Sequence, residues 1–244
     1  MKKIIVVLVI AISITSCFKD EDDENNNLSL QFKNEFAGES IDLETGTYVN
    51  SSDESLNIST LNYIISNIVL IDASGEEYIY PVEESYFLVR ENDEASQKIV
   101  LNNLPFDTIK SIRFGVGVDQ SNYPLNGVNN FVPTAEENNM LWSWSAGYIF
   151  FKMEGVFNSE NSQDEPFLYH IGSHGETLDN YKEVTLSYEN ARAVSTVNIK
   201  FDVAKVFAGE NEMSLEEKAD IQVDPVYAPK VISNVQQAFS VATE

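Results

Sequence analysis

Cysteine and histidine are scarce in this chain. Its 244 residues include one cysteine, Cys17, and two histidines, His170 and His174. A single cysteine excludes an internal disulfide and the thiolate metal sites that need several cysteines. The sequence also lacks the motifs GxSxG, HExxH, Walker A and GxGxxG, so we expect a binding protein and not an enzyme.

Basic residues are also few. The chain has 15 Lys and Arg residues against 39 Asp and Glu residues, which gives a formal charge of -24 at pH 7. This charge repels nucleic acids and anionic membrane surfaces, so neither is an expected partner. The surface field attracts cations in general, but it does not locate a site.

The N-terminus has the pattern of a bacterial lipoprotein. Lys2 and Lys3 precede an apolar run at residues 4–14, which is too short to span a bilayer but fits the core of a signal peptide. The run ends in ITSC at residues 14–17, which resembles a lipobox. We therefore predict a signal peptide at residues 1–16 and a lipid anchor on Cys17.

An acidic, amide-rich segment follows the anchor. Residues 17–27 contain little that could be buried, so we predict a disordered tether. Loss of Lys2 and Lys3 with the signal peptide would change the formal charge from -24 to -26. Acidic residues behind the lipidated cysteine resemble the signal that sends lipoproteins of Bacteroidetes-type bacteria to the outer face of the outer membrane. A spacer on the cell surface and a spacer facing the periplasm both fit this composition.

Residues 28–244 are predicted to form one all-β domain, an antiparallel β-sandwich with one short C-terminal helix. Strand-length apolar runs alternate with turns, and residues 112–118 and 196–206 have a clear period of two. The helix is predicted from Pro229 onward, because apolar residues recur there on one side as far as Phe239. Residues 134–137 have capping-box spacing and predict one helical turn. Strands are predicted at 28–36, 63–72, 77–80, 86–90, 99–104, 112–118, 148–157, 167–171, 183–188 and 196–206.

Both tryptophans of the chain, Trp142 and Trp144, lie in one stretch. In an extended strand, this spacing of two places both indoles on one face. Met140 and Tyr148 are close by, and such soft or oxidisable side chains occur where copper or radicals are handled. A packed core strand explains the same residues, so both interpretations stay open.

The two histidines lie in the segment YHIGSHGE. Glycines and the preceding strand-like residues argue against a helix, so we place His170 at a strand end and His174 in a loop, where both could reach one metal. Polar surface residues are the alternative. Asp119, with Asn122 and Asn126, could offer oxygen ligands to calcium, but a polar turn that satisfies its own backbone explains them as well.

Four sequence blocks in a fixed order resemble the MbnP family. They are NYIISN (62–67), GVD (117–119), MLWSWSAGYIFFKMEG (140–155) and YHIG (169–172), within a resemblance that covers residues 28–239. The resemblance implies copper binding by histidines and by a kynurenine that a dihaem, peroxidase-like partner enzyme makes from tryptophan.

Carried over to this chain, the resemblance makes Trp142 or Trp144 the oxidised residue and His170 an imidazole ligand. The segment 28–36 has no histidine where related copper proteins often have one. A second ligand would therefore be His174, or else a thioether from Met140 or Met153.

The leading hypothesis is an exported, lipid-anchored copper-binding protein with a tryptophan-centred site. The alternative is a surface binding module, in which Trp142, Trp144 and Tyr148 form an aromatic platform for a glycan or a peptide. A purely structural surface lipoprotein is the third hypothesis.

The lipid anchor can be tested by replacing Cys17 with Ser. The Cys17→Ser protein should leave the membrane fraction, because the hydroxyl cannot carry the thioether-linked lipid. Membrane retention is measured by fractionation and immunoblotting, and unchanged retention of the variant would refute the anchor.

Overall fold

A computed structural model describes residues 26–105, 108–119, 131–142, 147–174, 178–193 and 196–242. The predicted signal peptide, Cys17 and most of the predicted tether lie outside these ranges. The strands are β1 (Leu28–Phe36), β2 (Glu39–Ser40), β3 (Tyr48–Val49), β4 (Ser55–Ile71), β5 (Glu77–Ile79), β6 (Tyr86–Arg90), β7 (Lys98–Leu101), β8 (Thr108–Val116), β9 (Phe151–Asn158), β10 (Glu165–Ile171), β11 (Lys182–Ala193), β12 (Thr196–Asp202), β13 (Asp220–Ile221) and β14 (Phe239–Val241). The α-helices are α1 (Val132–Glu137), α2 (Ala204–Phe207) and α3 (Ala228–Gln237).

The strands form two sheets. The small sheet has the order β14-β12-β1-β2, with β7 also paired to β1. The large sheet has the order β11-β8-β4-β9-β10-β13, and β3, β5 and β6 pair with the long strand β4. The main hydrophobic core lies between the sheets and is rich in aromatic rings, among them Phe32, Tyr63, Phe114, Phe201 and Phe239. The predicted all-β sandwich is confirmed.

Two strand pairs differ from the predicted antiparallel arrangement. β1 pairs with β12 in parallel, and β10 pairs with β13 in parallel, whereas the other pairs are antiparallel. A period of two identifies the face of a strand that is buried, but it carries no information about the direction of the neighbouring strand. The sequence pattern therefore could not reveal these two pairs.

The C-terminal helix is confirmed as α3, with Pro229 in its first turn and Val231, Ile232 and Val235 buried in the main core. Phe239 lies beyond the helix, in β14, where its ring packs 4.7 Å from that of Phe201. The predicted turn at 134–137 lies within α1. The run predicted as a strand at 196–206 ends at Asp202 and continues into α2. No helix of the described residues is long and apolar enough to span a membrane.

Glu54 connects the start of β4 to a distant turn. Its side chain is 2% exposed, and its carboxylate accepts hydrogen bonds from Asn50 Nδ2 (2.6 Å), Ser214 Oγ (2.7 Å) and the backbone N–H groups of Leu215 and Glu216 (both 2.8 Å). Burial raises the pKa of Glu54, but these hydrogen bonds more than offset that effect, so the pKa lies below its usual value. The ionised carboxylate thus holds the turn at residues 214–218 against the sandwich.

Replacing Glu54 with Gln should destabilise the domain by about 3 kcal/mol at pH 7, because buried donors would lose an anionic acceptor. A group whose pKa is lowered by folding stabilises the fold above its unfolded-state pKa, and this contribution disappears as the pH falls through the folded-state pKa. The stability gap between wild type and Glu54→Gln should therefore narrow below about pH 4.5.

The measurement is chemical denaturation from pH 7 to pH 3. Glu39→Gln is the matched control, because Glu39 is exposed and the same change there should have little effect. An equal loss of stability in both variants, or a gap that does not depend on pH, would contradict the role of Glu54.

Candidate functional site

The outer face of the large sheet carries a second apolar cluster, which we call the outer cluster. It is separate from the main core and consists of Ile64, Tyr86, Leu88, Val118, Phe131, Ala135, Met140, Trp142, Tyr148, Ile149 and Phe150. Helix α1 and the chain that leads into β9 supply most of these residues. At this end, the large sheet is therefore buried on both faces.

The tryptophan stretch is not one continuous strand. The chain from Met140 to Ile149 folds back on itself: Ile149 N–H donates to the carbonyl of Met140 (2.7 Å), and Trp142 N–H donates to the carbonyl of Gly147 (3.3 Å). Gly147 has φ +137°, a conformation that glycine adopts at little cost. β9 therefore begins at Phe151 and not at residue 148. Residues 143–146, with Trp144, lie outside the described residues.

Trp142 packs against two glycines. Its side chain is 6% exposed, and a methyl group on Gly172 would come within 2.9 Å of its Cη2 atom. A methyl group on Gly147 would lie 3.5 Å from the same indole. The absence of side chains at these two positions creates the space in which the indole lies.

His174 lies beside the indole of Trp142. The two ring centroids are 6.3 Å apart with an interplanar angle of 77°, so the contact is edge to face. His174 is half-buried, and its backbone N–H donates to the backbone carbonyl of Leu178. The loop is closed by the buried Asn180, whose Nδ2 donates to the carbonyl of Gly172 (2.8 Å). The structure therefore brings one predicted ligand to the predicted redox residue.

His170 lies on the same side of the strand as Gly172. In β10, the alternate residues Phe167, Tyr169 and Ile171 point into the main core, which leaves His170 on the outer face. Each step of two residues along an extended chain spans roughly 6.5 Å. His170 therefore precedes Gly172 by one such step, and His174 follows Gly172 by two residues in the loop beyond β10.

The imidazole of His170 is held by Glu154 on the neighbouring strand β9. Nε2 of His170 lies 2.6 Å from Oε1 of Glu154, and Nζ of Lys152 lies 3.3 Å from the same oxygen. The hydrogen bond from His170, with a further contribution from the positive charge of Lys152, lowers the pKa of Glu154 to about 2. The carboxylate is therefore ionised at neutral pH.

The two methionines considered as ligands lie on opposite sides of the large sheet. Met140 is fully buried in the outer cluster with Trp142, whereas Met153 is fully buried in the main core. Only Met140 thus shares the environment of the indole.

Tyr148 also lies in the outer cluster. Burial raises its pKa to about 12, and its hydroxyl has no hydrogen-bond partner among the described residues.

Residues of the four sequence blocks meet at this end of the large sheet. Asn67, in a left-handed conformation at a β-bulge, donates to Asp119 Oδ2 (2.6 Å). Gly117 leaves no room for a side chain beneath the ring of Phe150. Asp119 thus forms a structural contact, while Asn122 and Asn126 of the calcium hypothesis lie outside the described residues.

Within the described ranges, no three His, Cys, Asp or Glu side chains converge in a way that could hold a metal ion.

Sequence reasoning missed the partners of the predicted site residues. Glu154 lies opposite Leu168 in the β9–β10 register, diagonal to His170, and no spacing rule for a single strand relates residues 154 and 170. In the sequence, Gly172 is only the last residue of the YHIG block, and nothing in that block indicates that the indole of Trp142 lies over it. Such cross-strand relations depend on register, which the sequence alone did not specify.

Comparison with known proteins agrees with this architecture. A family model described as MbnP matches residues 25–225, which confirms the resemblance seen in the four blocks. Among solved structures, MbnP from Methylosinus trichosporium is similar with a TM-score of 0.56 and 13% sequence identity, over 85% of this chain and 87% of that chain. At this identity the likeness shows the fold alone. No curated protein matches the chain.

The packing of Trp142 over Gly172 can be tested with Gly172→Ala. The added methyl group would overlap the carbonyl oxygen of Tyr148 and press on the indole, so the variant should lose about 1–3 kcal/mol of stability. Its near-UV circular dichroism and tryptophan fluorescence should change as well, since the indole must move.

Gly75→Ala is the control. Gly75 has φ +88° in an exposed turn, and a methyl group there has no atom within 4 Å. This variant should show backbone strain but wild-type tryptophan spectra. Unchanged spectra in Gly172→Ala would mean that the indole does not lie against this glycine.

Proposed function

The chain belongs to the MbnP family, and on that premise we propose that it is a copper-binding protein whose site is centred on Trp142. The proposal is for a binding protein and not for an enzyme. Its candidate ligands are His170 and His174, together with the product of tryptophan oxidation. The family match supports a copper-associated role, and the residues around Trp142 supply the proposed site.

One observation carries this proposal: Trp142 lies over Gly172, in edge contact with His174, and His170 is on the same face of the strand. Imidazole nitrogen is a good ligand for copper. Two imidazoles leave coordination positions free for a further ligand, which the oxidised side chain at position 142 would supply. The donor set fits copper better than calcium or magnesium, which prefer several oxygen ligands. Met140 is the remaining candidate, as its thioether is buried in the same cluster.

Oxidation would give Trp142 a role that an intact indole cannot fill. Two equivalents of hydrogen peroxide can convert the indole to N-formylkynurenine, with both oxygen atoms added across the cleaved ring bond and two waters released. Hydrolysis then removes the formyl carbon as formate and leaves kynurenine. Its aryl amine and ketone offer donor atoms in place of an indole ring, and we propose that a dihaem, peroxidase-like partner drives the oxidation. Trp144 is the second candidate for this modification.

The proposed setting is the outer membrane. The lipobox-like segment and lone Cys17 support a lipid-anchored protein, and the acidic residues that follow support export to the cell surface or the periplasmic side. Copper handling outside the cytoplasm is consistent with such a location.

The glycan or peptide platform is the less favoured alternative. Stacking against a sugar needs exposed ring faces, but Trp142 is 6% exposed and Tyr148 is 2% exposed. Two of its three proposed rings are therefore covered by protein.

The copper site is tested with the variants Trp142→Phe, His170→Ala and His174→Ala in protein that has met its oxidising partner. Each should weaken copper binding by about tenfold or more, because each removes one proposed donor. Affinity is measured by competition with a copper chelator, and mass spectrometry of the same samples reports whether Trp142 has been converted to kynurenine.

Tyr148→Phe is the matched control in the same cluster. It removes a buried hydroxyl without a partner among the described residues, so fold and copper binding should both be retained. If the three site variants stay folded and bind copper as tightly as wild type, the copper proposal is wrong.

A further inference from the structure

An ion-paired cluster lies on the outer face of the large sheet. It consists of Glu154 and Lys152 on β9 and His170 on β10. We propose that Glu154 is a positioning residue that fixes the tautomer of His170 and makes Nδ1 the nitrogen that binds metal. This inference rests on the proposed function and adds the geometry of one ligand to it.

The protonation of His170 follows from its partner. An ionised carboxylate can only accept hydrogen bonds, so Nε2 at 2.6 Å from Oε1 of Glu154 must carry the proton and donate it. In the neutral imidazole, the lone pair then lies on Nδ1. No hydrogen bond to Nδ1 occurs within the described part of the chain, so this nitrogen is not occupied by another described residue.

The scaffold holds this pair rigidly. β9 and β10 pair over seven positions from Glu165↔Phe157 to Ile171↔Phe151, and both strands lie inside the large sheet. The side chain of His170 is 16% exposed, so protein encloses most of the imidazole. Water therefore cannot replace the hydrogen bond to Glu154 in many other orientations of the ring. A carboxylate behind a metal-binding imidazole also increases the basicity of the ligand nitrogen.

Lys152 completes the arrangement. Its side chain is 12% exposed, and its Nζ lies 3.3 Å from the oxygen that also accepts from His170. Lys152 therefore holds the carboxylate of Glu154 from a second side and fixes the oxygen that accepts from Nε2 of His170.

The first test needs no metal. Nitrogen-15 NMR of histidine-labelled, metal-free protein distinguishes the two neutral tautomers, and His170 should carry its proton on Nε2. In Glu154→Gln, the amide can either donate or accept, so the preference for this tautomer should weaken. Glu165→Gln, which changes an exposed carboxylate on the same strand, should leave the spectrum unchanged.

The second test adds copper(I), which is diamagnetic and allows the same NMR measurement. The coordinated nitrogen of His170 should be Nδ1, and Glu154→Gln should bind copper about 10- to 100-fold more weakly than wild type, whereas Glu165→Gln should bind normally.

The outcomes separate this inference from the proposed function. A proton on Nδ1 in the metal-free wild type, or coordination through Nε2, would overturn the role of Glu154 and leave copper binding intact. Failure of the wild type to bind copper would instead refute the proposed function, while the metal-free spectra would still decide whether Glu154 sets the tautomer.

Discussion

The candidate site depends on the need to bury both faces of the large sheet at one end. Residues of β4 supply both sides: Tyr63 and Ile65 pack into the main core, whereas Ile64 packs into the outer cluster. Covering that outer face takes helix α1 and the folded-back chain from Met140 to Ile149, and this chain carries Trp142 to the end of β10. Two glycines accept the indole there. The same packing that excludes water from the sheet thus places an oxidisable ring against Gly172 and beside His174.

Charge around the site is arranged differently from charge on the molecule as a whole. The chain is strongly anionic, yet on the outer face of the large sheet the carboxylate of Glu154 is paired with both His170 and Lys152. The net negative charge raises the local concentration of cations around the molecule, whereas the Glu154–His170 pair acts only at contact distance. In the proposed copper site, the long-range field would act on attraction and the local pair on coordination. Neither would suffice alone, since exposed carboxylates bind copper with little selectivity.

The sequence predicted the fold class and most strands, because alternating burial leaves a period of two in the residues themselves. It also identified the Met140–Ile149 region and both histidines as the positions of interest. Parallel pairing of β1 with β12 and the contact of Glu154 with His170 were not predictable, since both depend on which strands become neighbours and in which register. The extended strand considered for the two tryptophans is not observed at Trp142, because the chain folds back between Met140 and Ile149 and Trp142 donates to the carbonyl of Gly147. The sequence shows a glycine at this position, but not the conformation that it adopts.

The most direct test of the central claim is a crystal structure of the copper-loaded protein with anomalous diffraction measured at the copper edge. The account predicts one strong anomalous peak beside the side chain at position 142, within coordination distance of nitrogen atoms of His170 and His174. A peak elsewhere in the molecule, or none from protein that has been oxidised and loaded with copper, would contradict it.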